Sequence, residues 1–261
     1  MSWLRRAWRS VAASSVTRPP TGAVEDEHYV PAKGFKLEAY LQAGDANGVH
    51  HLIRYLWARE CALDEPHPSS ILDLACGSGY GTHLLASSLS QATVVGADYD
   101  PRAVSQANSM YSGSNLSFRV GDAVAWEETI GGDAFDLITC FDTLEHVSHR
   151  EIMLENLVGH LRRSGRLLLS TPCGGDVVIP VPSWEHHKIE YSAGSLYDFL
   201  RRYFSEVLRP DDGALPHLEV FERLKGSPVG YFLRMNPVVC RGPIVIENPY
   251  PSTAERPRGD R

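Results

Sequence analysis

Apolar residues fall into two alternating patterns along the middle of the chain. Short, continuous apolar runs read as buried strands, and apolar positions at three- and four-residue spacing read as helices. Leu52, Ile53, Leu56, Trp57 and Cys61 carry the helical spacing and predict a helix ahead of the core. Ile71-Leu-Asp-Leu-Ala-Cys-Gly-Ser-Gly-Tyr-Gly-Thr-His-Leu-Leu-Ala86 then reads as a buried strand, a glycine turn and an amphipathic helix. Ala92–Asp98 is a β-branched run ending in an acid, and Pro101 opens a helix to about Met110. Further strands are expected at Asn115–Ala123, from Phe135, and over Arg166–Pro172, with helices at Leu154–Arg163 and about Ser192–Tyr203. Arg202–Arg209 leads toward a sixth strand and Val229–Arg241 reads as a seventh, with Pro237 marking a turn, bulge or edge.

Length and charge narrow this picture. A chain of 261 residues holds one α/β core with a short appendage at each end. The expected division is a basic N-terminal segment at 1–24, one domain with its capping helix at 25–247, and a Pro-rich tail at 248–261. Residues 1–24 carry four arginines and no acid, and residues 1–18 offer a weak membrane-surface contact. The equally open alternative is a poorly ordered terminus. No apolar run approaches the ~18 residues of a membrane span. The net charge of −7 argues against a broad grip on nucleic acid. Five scattered cysteines without a C-x-x-C pair indicate neither a disulfide framework nor a zinc site, which fits a cytoplasmic protein.

The candidate chemistry starts at the glycine turn. Gly77, Gly79 and Gly81 allow sharp backbone turning and close approach of a ligand. Their spacing departs from the dinucleotide fingerprint G-x-G-x-x-G. An acid at the end of the second strand, Asp98, can accept both hydroxyls of a ribose, and Tyr99 beside it can lie against adenine. Gly121-Asp122 closes the third strand. A carboxylate there accepts from an exocyclic amine while the Ala123 N–H reaches a ring nitrogen, a donor and acceptor order that fits adenine.

The run Asp73-x-x-Cys76-Gly77-x-Gly79-x-Gly81 resembles motif I of the class I, Rossmann-like S-adenosylmethionine (SAM) dependent methyltransferases. Phe135-Asp-Leu-Ile and Leu144-Glu-His-Val147 resemble that family's fourth-strand segment, and Leu167-Leu-Leu-Ser-Thr-Pro172 its fifth-strand ending, with Cys173 where the family has Asn. Within the family the likeness is to small-molecule enzymes such as the ubiquinone-pathway O-methyltransferases. It implies an α/β fold with a seven-stranded, mostly parallel sheet whose seventh strand is antiparallel, flanked by helices. It also implies SAM as cofactor, with S-adenosylhomocysteine as product. Asp73, Ala75, Gly77 and Gly79 would form the first part of the cofactor site, Asp98, Tyr99, Asp122 and Ala123 the adenosine part, and Phe141 would lie beside the methionyl end. His50, His51, Arg54 and Tyr55 on the capping helix are further candidate contacts, with packing the expectation for Tyr55 and solvent for Arg54.

By the same resemblance, Asp142, Glu145 and His146 would point into the substrate pocket, and i, i+3, i+4 spacing would put them on one helical face. Methyl transfer needs alignment and, for a hydroxyl acceptor, a base. His146, His186 and His187 are the candidates, and His146, Glu145 and His187 are the expected catalytic set. Asp142, Glu145, His146 and His187 also resemble the metal constellation of small-RNA 3′-end 2′-O-methyltransferases, so a divalent metal is an open alternative. The Gly- and Pro-rich loop at 173–186, with Trp184, reads as an apolar lid over a small organic or glycosylated acceptor. Metal-dependent methylation of an RNA end and a catalytically inactive SAM-binding partner stand as alternatives.

Overall fold

The computed structural model describes residues 29–31, 36–172, 175–210, 213–219 and 228–244. The expected segments at 1–24 and 248–261 lie outside the described residues. Helices α1 (Leu37–Ala43) and α2 (Ala46–Ala62) precede β1 (Ser70–Leu74), α3 (Tyr80–Ser88), β2 (Thr93–Asp98), α4 (Pro101–Met110) and β3 (Leu116–Val120). There follow α5 (Trp126–Thr129), β4 (Phe135–Phe141), α6 (Arg150–His160), β5 (Leu161–Ser170), α7 (Ala193–Leu200), β6 (Phe204–Leu208), α8 (Val229–Leu233) and β7 (Val238–Pro243).

The seven strands form one sheet in the order β3-β2-β1-β4-β5-β7-β6. β7 runs antiparallel to both of its neighbours, β5 and β6, and the remaining pairs are parallel. Helices cover both faces, so successive strand residues enter two cores and the central strands are apolar throughout. Ile71, Leu137, Leu168 and Val239 pack toward α2 and α8. Leu72, Ile138, Leu167 and Cys240 pack toward α6 and α7. Each such Leu or Ile contributes about 1.5–3 kcal/mol relative to exposure.

Local chemistry sets the helix starts. The Asp45 side chain accepts from Gly48 N at 2.9 Å at the head of α2. Asp100 accepts from Arg102 N at 2.8 Å ahead of Pro101, and Ser192 from Ser195 N at 3.1 Å. These caps satisfy otherwise orphaned amides, and a proline in the first turn removes one.

Three expected elements shift. Val229 to Leu233 is helical, and the seventh strand begins only at Val238. Val229, Phe232 and Leu233 are buried, and Phe232 meets Trp57 of α2 edge-on at 5.1 Å. Their β-branched and aromatic character imitates a strand, but their i, i+3, i+4 spacing packs as a helix. The helix expected from Leu154 is α6, which starts at Arg150 and ends at His160. The fifth strand starts at Leu161 rather than Arg166, with a register irregularity opposite Phe135 and Leu137.

The order of β3, β2, β1 and β4 has a functional consequence. Chain direction across the sheet reverses between β1 and β4, which opens a crevice beyond the carboxyl ends of the strands. Every expected site residue from Asp73 to His146 lies at or just beyond those ends.

Candidate functional site

The loop after β1 is built by backbone conformation. Ala75, Gly77 and Gly79 all adopt positive φ, and Gly79 N donates to Cys76 O at 3.0 Å. A Cβ on Gly79 would stand 2.6 Å from Ala107 Cβ, so glycine is also required by packing against α4. Asp98 latches this loop. Its Oδ2 accepts from Gly77 N at 2.8 Å, and its Oδ1 accepts from Asp100 N at 2.9 Å. Tyr99 projects beside it with 58% of its surface exposed. Asp122 closes its own turn, Oδ1 accepting from Val124 N at 2.8 Å. Asn156 of α6 holds the next residue by donating to Ala123 O at 2.8 Å.

Asp73 sits beneath the loop, fully buried. Its carboxylate accepts from Tyr55 Oη at 3.1 Å, Thr82 Oγ1 at 2.7 Å and Thr139 Oγ1 at 2.7 Å. Burial pushes its pKa up to about 6 against the opposing pull of these hydroxyls. Asp73 thereby ties α2, β1, α3 and β4 together under the glycine turn. Phe141, at the end of β4, meets the Tyr55 ring edge-on at 5.2 Å.

Arg54 departs from the solvent position expected for it. It is 2% exposed and ion-paired with Asp142. Its Nη2 donates to His51 Nδ1 at 2.7 Å. Although burial works upward, the guanidinium holds the Asp142 carboxyl below the usual carboxylate range. Burial first and the Arg54 charge second push His51 down to about 3 and His50 to about 4. His50, His51 and Arg54 share a helical face at i, i+1, i+4 spacing. That polar stripe, running beside the apolar Val49, Leu52, Ile53 and Trp57, was the available signal for a buried cluster.

The helical face expected for Asp142, Glu145 and His146 does not form. Asp142 has φ +48°, and the chain beyond it is a turn in which His146 N donates to Thr143 O at 3.0 Å. Asp142 consequently turns toward α2, while Glu145 and His146 turn toward the 184–190 segment. Ligand atoms of Glu145, His146 and His187 all lie within 4.8 Å of one another. Lys188 N donates to Glu145 O at 2.6 Å, which fastens the two segments together. Trp184 lies over the group, its ring centroid 4.6 Å from that of His187 and 5.9 Å from that of His146.

Protonation in this group is ordered by its neighbours. His146 Nδ1 lies 3.1 Å from His186 O, an obligate acceptor, so Nδ1 carries the proton and Nε2 is an acceptor in the neutral ring. His187 Nδ1 lies 2.8 Å from Glu190 Oε1 and is likewise the donor. Glu145 is fully buried, and Thr171 Oγ1 donates to its Oε2 at 2.8 Å. Burial, reinforced by the Asp142 charge, pushes the Glu145 carboxyl well above the usual carboxylate range. The loop beyond β5 carries Val177, Val181 and Trp184 exposed at its surface. An antiparallel bridge between Ile179 and Glu190 ties it back to the site.

Comparison with known proteins bears on the same region. Residues 68–196 match a family model described as a methyltransferase domain. A ubiquinone biosynthesis O-methyltransferase of Pseudomonas fluorescens is 32% identical over 105 residues, 39% of this chain and 43% of that one. Its counterpart in Xanthomonas axonopodis is 29% identical over 107 residues, 41% of this chain and 44% of that one. The match thus spans less than half the length of these curated relatives. Among solved structures, a chain of the Haloferax volcanii complex between the Trm112 methyltransferase activator and a methyltransferase superposes with a TM-score of 0.54 at 18% identity, covering 80% of this chain and 98% of that one. The O-methyltransferase of a Brevibacillus brevis trans-AT polyketide synthase, bound to S-adenosylhomocysteine, gives 0.52 at 13% identity, covering 83% and 82%. The [4+2]-cyclase SpnF also gives 0.52, at 15% identity, covering 76% and 83%. Likeness at these identities establishes the fold alone, and the cyclase illustrates why the chemistry must come from the site. Taken with the strand order, the latched glycine loop and the family-model match, the chain carries across residues 68–196 a methyltransferase domain of the class I, Rossmann-like SAM-dependent family.

Proposed function

We propose that this protein transfers a methyl group from SAM to a hydroxyl of a small organic or glycosylated acceptor. The observation that carries the reading is the juxtaposition of two features at the carboxyl ends of the strands. An adenosine-type cradle spans β1 to β3, and an acid and imidazole cluster follows β4.

The cradle fits SAM by its donor set. Asp98 uses one lone-pair direction on each oxygen for backbone amides, and an ionised carboxylate has further capacity for ribose hydroxyls. Asp122 Oδ1 is committed to its turn, which leaves Oδ2 for an exocyclic amine. Tyr99, 58% exposed beside Asp98, supplies an aromatic ring for the base. Ala75, Gly77 and Gly79 set the backbone path around the ligand, with Asp73 and Phe141 supporting it from below. SAM contributes a sulfonium methyl, which is electrophilic without any phosphate leaving group.

The chain's own residues then align the acceptor and take up its proton. His146 Nε2, the acceptor nitrogen of its tautomer, receives the hydroxyl proton as the oxygen attacks. Glu145 stands 3.8 Å from that nitrogen, and positive charge formed on the ring favours ionisation of its buried, otherwise neutral carboxyl. His187 and Trp184 lie beside His146, and the apolar loop surface favours an acceptor with an aromatic or hydrocarbon body. General base catalysis of this kind is worth about 10²–10⁴-fold. Among the described residues, no helix is long and apolar enough to cross a membrane, which is compatible with a cytoplasmic acceptor.

Calorimetric titration of the purified protein with SAM, and separately with NADH, tests the reading. SAM binding without NADH binding is expected, followed by methyl transfer to phenolic or sugar hydroxyls in a screen. Failure to bind SAM would overturn it. SAM binding with no transfer to any hydroxyl acceptor would favour an inactive SAM-binding partner.

A further inference from the structure

We infer that His50 of α2 and Arg234 at the end of α8 form a binding subsite for a carboxylate carried by the methyl acceptor, which is therefore an acid. His50 has no part in the cofactor cradle or in the proton transfer described above. Its Nε2 is cut off from solvent and has no hydrogen-bond partner. A buried polar atom left unpaired is costly, and it persists in a native structure when something outside the chain satisfies it.

The surroundings of that nitrogen specify what would do so. Arg54, one helical turn further along α2, spends its charge on Asp142. Arg234 has no carboxylate partner among the described residues. Its guanidinium lies over the Tyr231 ring, 5.2 Å from the centroid, and its Nε reaches only Gly230 O at 3.5 Å. The same Tyr231 ring meets the His50 ring at 4.9 Å between centroids, so one aromatic side chain carries both groups. Burial first, then the Arg54 charge and more weakly that of Arg234, hold His50 down at about 4 against the opposing pull of Asp142. The imidazole is thus neutral near neutral pH and free to donate through Nε2. Two guanidinium groups set against the one Asp142 carboxylate leave a single positive charge unbalanced. A carboxylate matches that charge and fits the planar fork of an arginine, whereas a phosphate dianion would exceed it.

Position connects this pair to the acceptor. Arg54 meets Asp142 just beyond β4, and α8 ends where Thr171 N, just beyond β5, donates to Met235 O at 2.8 Å. His50 and Arg234 therefore flank the carboxyl ends of β4 and β5, where Glu145 and His146 also stand, and not the cradle of β1 to β3. Asn236 lies at the same edge. It is 2% exposed, and its Nδ2 is another buried atom without a partner. SAM brings a carboxylate of its own at its methionyl end, so the two sources have to be separated by experiment. That the anion belongs to an acceptor rests on the methyl-transfer reading above; the binding of a carboxylate does not.

The test is titration of full-length protein, isotope-labelled on histidine, with sodium acetate. The His50 ring resonances report binding, and His50→Gln assigns them. A saturable shift with a millimolar Kd is expected, equally with and without saturating S-adenosylhomocysteine, and sodium chloride at the same ionic strength should not reproduce it. Arg234→Gln should weaken acetate binding about tenfold or more. Arg234→Lys, which keeps the charge without the fork, should fall between it and the wild type. An arginine that merely packed on Tyr231 would leave acetate affinity unmoved. Far-UV circular dichroism checks the fold of each variant, and should Arg234→Gln fail to fold, the wild-type titrations decide alone. No saturable shift, a shift that chloride reproduces, or unchanged affinity in folded Arg234→Gln would overturn the inference. Displacement of acetate by S-adenosylhomocysteine would give the subsite to the cofactor and overturn the assignment to an acceptor. Acetate binding by a protein that does not bind S-adenosylhomocysteine would leave the carboxylate subsite standing and sink methyl transfer.

Discussion

The guanidinium of Arg54 on α2 is ion-paired with the carboxylate of Asp142 just beyond β4, the Arg54 side chain 2% exposed and that of Asp142 22%. This pair fastens the capping helix to the strand end that carries the candidate site. Removing one partner of a buried pair strands the other charge, at about 3–5 kcal/mol. Asp142→Ala should therefore lower the free energy of unfolding by about that amount, measured by denaturant titration. A loss below about 1 kcal/mol, the range of exposed pairs, would show that the contact is solvent-screened.

Asp98 has a double duty that a simple ribose contact would lack. Its carboxylate holds Gly77 N and Asp100 N as well as facing the cradle. Asp98→Ala should raise the Kd for SAM at least tenfold, about 1.4 kcal/mol, and also loosen the glycine loop, seen as faster amide exchange at Gly77. Unchanged SAM affinity would refute the assignment.

His146 should separate binding from turnover. His146→Ala is expected to keep SAM affinity, since nothing in the adenosine cradle depends on it, while kcat falls about 100-fold or more. Full activity would end its candidacy as the proton acceptor.

The buried Asp73 predicts a pH effect of definite sign. Its folded-state pKa is raised from 3.8 to about 6. The folded state therefore binds the proton more tightly than the unfolded chain, and this group's stabilisation is full below pH 3.8 and is lost as pH rises through about 6. At about 1.4 kcal/mol per unit the change is of order 3 kcal/mol. His50 and His51 act oppositely. Their pKa values are depressed from 6.5 to about 4 and about 3, so their contribution is present above pH 6.5 and lost as pH falls. The difference in Tm between wild type and Asp73→Asn should change across pH 4–6.5, and a difference constant over that window would contradict the assignment.

Much of this protein was decided by residue order alone. The apolar runs at β1, β2 and β4, the Asp100-Pro101 cap and the glycine turn fix their elements by local rules: burial of both sheet faces, satisfaction of terminal amides and backbone sterics. Motif order and spacing carried the family and the sheet architecture, because β-α-β handedness leaves few ways to wind such a chain. The sequence also marked Glu145, His146 and His187 as chemically interesting.

Only the tertiary structure decided how those groups are shared out. Spacing put Asp142 on one face with Glu145 and His146, but the chain leaves β4 in a turn with Asp142 at positive φ. Asp142 then belongs to Arg54, a residue whose helical position said nothing about what would pack against it. In the same way, Val229–Leu233 carries strand-like residues yet is helical, because its apolar stripe fits against Trp57 of α2. Side-chain partners distant in sequence are set by the relative placement of whole elements, which local patterning does not encode. That placement brings His187 to Glu145 and leaves one buried carboxylate oxygen unpaired between two oriented imidazoles.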